Sequence, residues 1–160
     1  MKFTHRSIVA TLLLSVAFVF GCKEDDGGDG GKIVGQELAG TWEQLDAGDV
    51  TGPAAAEFSG FSISISATSS GVTYTTNSTA NGNPNVFPSS GSFDVEESDN
   101  FNSGAVITRQ PDGVDVTTSV SSDGQTLNMS FTISTDGSSG GRYQGIDGQY
   151  QFTLTKKQSN

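Results

Sequence analysis

Apolar and polar side chains alternate in short runs along most of this chain, the two-residue period expected of strands with one buried face. In Phe61-Ser62-Ile63-Ser64-Ile65-Ser66-Ala67-Thr68 the apolar residues take every second position and hydroxyls take the others. Residues 72–76 follow after Ser70-Gly71, and 91–96 resume the period through Phe93 and Val95. Residues 105–109, 114–120, 127–134 and 148–157 carry it further, with 38–45 opening the series. Asp-Gly steps at 112–113, 123–124 and 147–148 separate runs, and glycine supplies the positive φ that hairpin turns demand. Residues 53–58 predict a single helical turn, with Pro53 where its missing N–H costs nothing. Residues 77–90, rich in Asn, Gly, Pro and Ser, predict a long loop whose Val86-Phe87 pair folds back on an opening or an edge, and 136–141 predict another loop.

About eight strands with no helices between them predict an all-β domain: an antiparallel up-and-down barrel, with a β-sandwich as the alternative. Alternation alone does not separate the two, because both bury every second residue. Eight strands in a barrel enclose a space that side chains just fill or that holds one small ligand. The candidate lining of such a cavity is Ile63, Ile65, Tyr74, Phe93, Ile107, Met129, Phe131 and Phe152, and these large side chains are equally able to pack the space solid.

The N-terminus is different in kind. Lys2 and Arg6 precede an apolar run from 8 to 20, interrupted only by Thr11 and Ser15. That run is too short to span a hydrocarbon core of about 30 Å comfortably, so it reads as a secretory signal. It stops at Gly21 and Cys22. A peptidase needs a small residue before its cut, and a lipid-transfer enzyme needs a thiolate just after it.

Val19-Phe20-Gly21-Cys22 resembles the lipobox of bacterial lipoproteins, with Phe20 where that family prefers a small or β-branched residue. The resemblance implies cleavage after residue 21 and attachment of diacylglycerol and an N-acyl chain to Cys22. Lys23-Glu24-Asp25-Asp26 resembles the lysine-plus-acidic export signal of surface-exposed lipoproteins in Bacteroidetes-type bacteria. The implied location is the outer membrane, lipid-anchored and facing outward. At about 0.8 kcal/mol per buried CH₂, three acyl chains would contribute on the order of 35 kcal/mol, an effectively permanent anchor. The expected organisation is a signal peptide at 1–21, a lipidated cysteine with an acidic, Gly-rich tether at 22–36, and one β domain at 37–158.

Cleavage would change the chemistry available. It removes His5, the only histidine, and lipidation consumes the only cysteine. Without those residue types, Ser-His-Asp and Cys-His nucleophile systems, thiol redox chemistry and His/Cys zinc sites are excluded. It also leaves six Lys and Arg against eighteen acids, a formal charge of −12. Such a surface argues against nucleic acid or anionic lipid headgroups as partners. Asp25, Asp26 and Asp29 lack the regular spacing and closing Glu of a calcium loop, so 22–36 reads as a solvated tether, and no metal or other cofactor is expected.

Leu38-Ala39-Gly40-Thr41-Trp42 ahead of the strands, and Phe152-Thr153-Leu154-Thr155-Lys156 at the end, resemble the lipocalin-like domains of anchored lipoproteins. By that resemblance Gly40 and Trp42 close one end of a small barrel. No Thr-Asp-Tyr motif is present, and no arginine is assigned to pack on Trp42.

Three functions fit these features. The first is a non-catalytic envelope lipoprotein that binds a small apolar ligand, or a macromolecular partner, through the barrel mouth. The second is a structural or adhesive module without a pocket, meeting glycan or a neighbouring protein with hydroxyl-rich faces such as Ser62, Ser64, Ser66 and Thr68, or Asn128, Ser130, Thr132 and Ser134. The third, a glycoside hydrolase, needs two carboxylates about 5–10 Å apart, for which Glu43, Glu57, Glu96, Glu97 and Asp115 are the candidates. The expectation is that the protein is not an enzyme. The Asn77-Ser78-Thr79 and Asn128-Met129-Ser130 triplets match the glycosylation pattern by chance.

Overall fold

The structure, a computed structural model, describes residues 33–134 and 145–158. Cys22, the signal and export residues before and after it, and the loop expected at 136–141 lie outside the described residues.

Among the described residues nine strands form one antiparallel sheet: β1 (Gly40–Glu43), β2 (Val50–Thr51), β3 (Ser62–Thr68), β4 (Gly71–Thr76), β5 (Ser90–Asp94), β6 (Ala105–Gln110), β7 (Val114–Val120), β8 (Thr126–Ile133) and β9 (Gly148–Lys156). The order is β1-β3-β4-β5-β6-β7-β8-β9-β2, and β1 also pairs with β9, Trp42 opposite Lys156 and Glu43 opposite Thr155. That pairing closes an eight-stranded meander into a barrel and rules out the open two-sheet sandwich. The ninth strand, β2, pairs with β9 further along the same edge, Val50 opposite Phe152. β1 and β2 are thus one interrupted strand.

The interruption has a local cause. Asp49 turns back on the segment, its carboxylate accepting from the N–H groups of Leu45 and Asp46 at 3.0 and 2.8 Å. Gln44 then ties the bulge to the approach of β3, its side-chain oxygen accepting from Gly60 N–H at 3.1 Å. Residues 53–58 do form one turn, a 3₁₀ helix at Ala55–Phe58, and its Phe58 is buried.

Alternation sorts the side chains as the sequence predicts. Ile63, Ile65, Val72, Tyr74, Phe93, Ile107, Val116, Leu127, Met129, Phe131, Phe152 and Leu154 all point inward and are buried. Their neighbours in sequence, Ser64, Ser66, Thr73, Thr117, Asn128 and Thr153, face out. Burial of this apolar surface, at about 25 cal/mol per Å², is what selects the register, because a one-residue slip would turn every inward side chain outward.

Candidate functional site

Each end of the barrel is stoppered. At the first, a 3₁₀ turn at Gln36–Leu38 drops Leu38 under the sheet, and the indole N–H of Trp42 donates to the Leu38 carbonyl at 2.8 Å. Gly35 begins this turn at φ 75°, and a side chain there would collide with Val72. Gly40 and Trp42 lie beside this turn, with Trp42 fully buried. The cation on the tryptophan is Lys156, whose Nζ lies 5.0 Å from the ring centroid. Phe101, buried, belongs to this end as well, its carbonyl accepting from the Val120 N–H at 2.8 Å.

The opposite end is closed by rings. Phe58 stands edge-on to Phe152 at 5.1 Å and to Phe61 at 5.4 Å, and Phe131 stacks on Tyr150 and Phe152 at 5.7 and 5.6 Å. The loop between β4 and β5 does fold back: Val86 and Phe87 are both fully buried, with Phe87 in ring contact with Phe61, Tyr74, Phe131 and Phe152.

The residue that sequence reasoning missed is Arg109. It takes the inward phase of β6 and is fully buried. Its guanidinium lies between two phenyl rings, 4.5 Å from the centroid of Phe87 and 4.7 Å from that of Phe131. Nη2 donates to the Val86 carbonyl at 3.0 Å and to Asp112 at 2.7 Å, and Nε donates to the same carboxylate at 3.2 Å. Among the described residues, Nη1 alone finds no partner. Arg109 thereby holds the Val86-Phe87 plug in place. Burial pushes the Tyr74 phenol up to about 12, opposed by the Arg109 charge and reinforced by Asp112.

The eight candidate cavity residues thus come together inside the barrel, each at most 6 % exposed, in an interior shared with Phe58, Phe61, Phe87, Arg109 and Tyr150. Hollows occur on the outside. Two adjoining grooves of about 240 and 300 Å³ run along the outer face of β7, β8 and β9. They are lined by Thr117, Ser119, Asn128, Ser130, Gln151 and Thr153, then by Asp115, Thr132 and Gln149. A larger groove of about 490 Å³ lies beside β5 and β6, bordered by Asp94, Glu96, Asp99, Val106 and Thr108.

The candidate carboxylates are on the surface, four of them separately engaged. Glu43 pairs with Lys157 at 3.4 Å, Glu57 accepts from Asn83 at 2.8 Å, and Asp115 accepts from Thr108 at 3.0 Å. Glu96 meets Ser98 at 3.4 Å, and Glu97 is exposed. Among the described residues no cluster of His, Cys, Asp and Glu is arranged to hold a metal ion, and no helix is long and apolar enough to cross a membrane. Asn77 uses its amide inside the fold, accepting from Ser62 N–H and donating to the Gly60 carbonyl. Comparison with known proteins finds no matching family model, no similar curated protein and no similar solved structure.

Proposed function

We propose that this chain is a non-catalytic envelope lipoprotein, anchored to the outer membrane through lipid on Cys22, whose barrel works from its outer surface as a structural or adhesive module. The observation that carries this reading is the occupied interior. A small apolar ligand would have to displace the Val86-Phe87 plug and break the Arg109 bond to the Val86 carbonyl, leaving the buried guanidinium short of an acceptor at a cost of about 1–3 kcal/mol. Contact through the exterior needs no such rearrangement. There the hydroxyls and amides of β7 to β9 offer both donors and acceptors, which suits glycan or a neighbouring protein.

The reading is tested on purified, delipidated protein titrated with an apolar fluorescent probe. No saturable site is expected, and stoichiometric, saturable uptake would restore the interior-ligand function. The anchor is tested separately. The intact mass from membranes should exceed that of the bare polypeptide, and Cys22→Ala should move the protein to the soluble fraction.

A further inference from the structure

We propose that the gap between β5 and β6 receives an extended, cationic segment of a partner protein as an added β-strand. The proposal rests on the reading of the exterior as the contact surface and names the partner's chemistry. It begins with an incomplete ladder. β6 pairs with β5 only at Gln110, Arg109 and Thr108, the last opposite Asp94, whereas its pairing with β7 runs from Arg109 to Ala105. Among the described residues, the edge of Ala105–Ile107 that faces β5 therefore has no strand beside it.

The chain leaving β5 does not cover that edge. Asp99 caps the turn, its carboxylate accepting from the Glu96 N–H at 2.8 Å. The loop then commits its Phe101 carbonyl to Val120 at the far end of β7. Among the described residues no main-chain bond from this loop reaches Ala105, Val106 or Ile107. An unpaired strand edge is a template for another strand, and proteins usually blunt such edges with lysine, proline or a cover. Here the edge presents Val106 instead, 62 % exposed, within the groove of about 490 Å³.

Charge selects the occupant. Asp94, Glu96 and Asp99 line the groove, and their hydrogen bonds come from neutral groups: the Gln110 amide, the Ser98 hydroxyl and the Glu96 N–H. All three described cations are engaged elsewhere, Arg109 inside the barrel with Asp112, Lys156 on Trp42 and Lys157 with Glu43. A strand that carries a Lys or Arg toward the carboxylates and an apolar side chain onto Val106 satisfies the backbone, the charge and the exposed apolar surface together. Main-chain bonds would supply affinity, and alternate side chains would supply selection.

The test uses the full chain and a capped hexapeptide alternating Lys and Val, with two controls: the same peptide methylated at every amide, and a Glu-for-Lys version. Backbone NMR and amide exchange report the site. The Lys peptide should slow exchange within Ala105–Ile107, while both controls and the V106D and E96K variants should bind at least about tenfold more weakly. Position 106 is exposed, so V106D keeps the fold, which its unchanged thermal transition would verify. Equal binding of the methylated peptide, protection at another strand, or no binding of the Lys peptide would each overturn the proposal. None of these results bears on the probe titration that judges the occupied interior.

Discussion

Replacing Arg109 separates what its charge contributes from what its bulk contributes. In R109M the Val86 carbonyl loses a charge-assisted bond of 3.0 Å and stays buried, a cost of about 1–3 kcal/mol. Contacts with Phe87 and Phe131 lose cation–π attraction of about 2 kcal/mol, of which sulfur on the same rings returns about 1 kcal/mol. Removing the unpartnered Nη1 recovers about 1–2 kcal/mol. The ion pair adds little, because the Asp112 side chain is 30 % exposed and rehydrates. The sum is a loss of about 0–3 kcal/mol, centred on about 1.5 kcal/mol. R109A adds an unfilled hole between two rings and should lose about 3–5 kcal/mol. At about 4 °C per kcal/mol for a domain of this size, the transition falls by roughly 6 °C in the first variant and roughly 16 °C in the second. Urea unfolding followed by emission of the single Trp42, with thermal scans by circular dichroism, measures both. If R109M were as damaging as R109A, the charge and not the packing would be what holds the plug. If R109A lost less than about 1 kcal/mol, Arg109 would not be holding it at all.

Three further expectations follow from the packing. The Tyr74 phenol, held at about 12 by burial, favours its neutral form in the fold, so its contribution is present below its ordinary value of 10.0 and disappears as pH rises through about 12. Phenolate absorbance should show a late-rising component that Tyr74→Phe removes, and its persistence in that variant would refute the assignment. A side chain at Gly91 would collide with the Gln110 carbonyl and meet the Tyr74 hydroxyl at 2.6 Å. Gly91→Ala should therefore cost about 3 kcal/mol in urea titrations, near the upper end of overpacking effects, by spreading β5 from β6. Lys156→Gln removes the cation from Trp42 and should cost about 0.5–1 kcal/mol with a shift in Trp42 emission, and an unchanged spectrum would show that the contact does not form in solution.

The strands were legible because their alternation is physical: seven of the predicted runs lie within two residues of an observed strand, and residues 114–120 coincide with β7. β2 was not legible, since a two-residue strand has no period and is set by the Asp49 turn before it. The opening strand is shorter than the predicted 38–45, because Leu38 leaves the sheet to plug the end. Arg109 was hidden by a conflict in phase: in Ala105-Val106-Ile107-Thr108-Arg109 an apolar Val106 faces water and a cation faces the core. The available signal was Asp112, three residues on across a turn, where it meets Arg109. Lys156 on Trp42 was equally out of reach, because the residues meet only through the closing pair between the first and last strands.

That pair carries a consequence for how the protein is made. The sheet cannot become a tube until residue 156 reaches residue 42, so everything between those two positions must be made before the architecture can be finished. Contacts so remote in sequence form slowly. For a chain proposed to be threaded through a membrane before it matures, that delay is useful: the barrel closes only once β9 is delivered to β1.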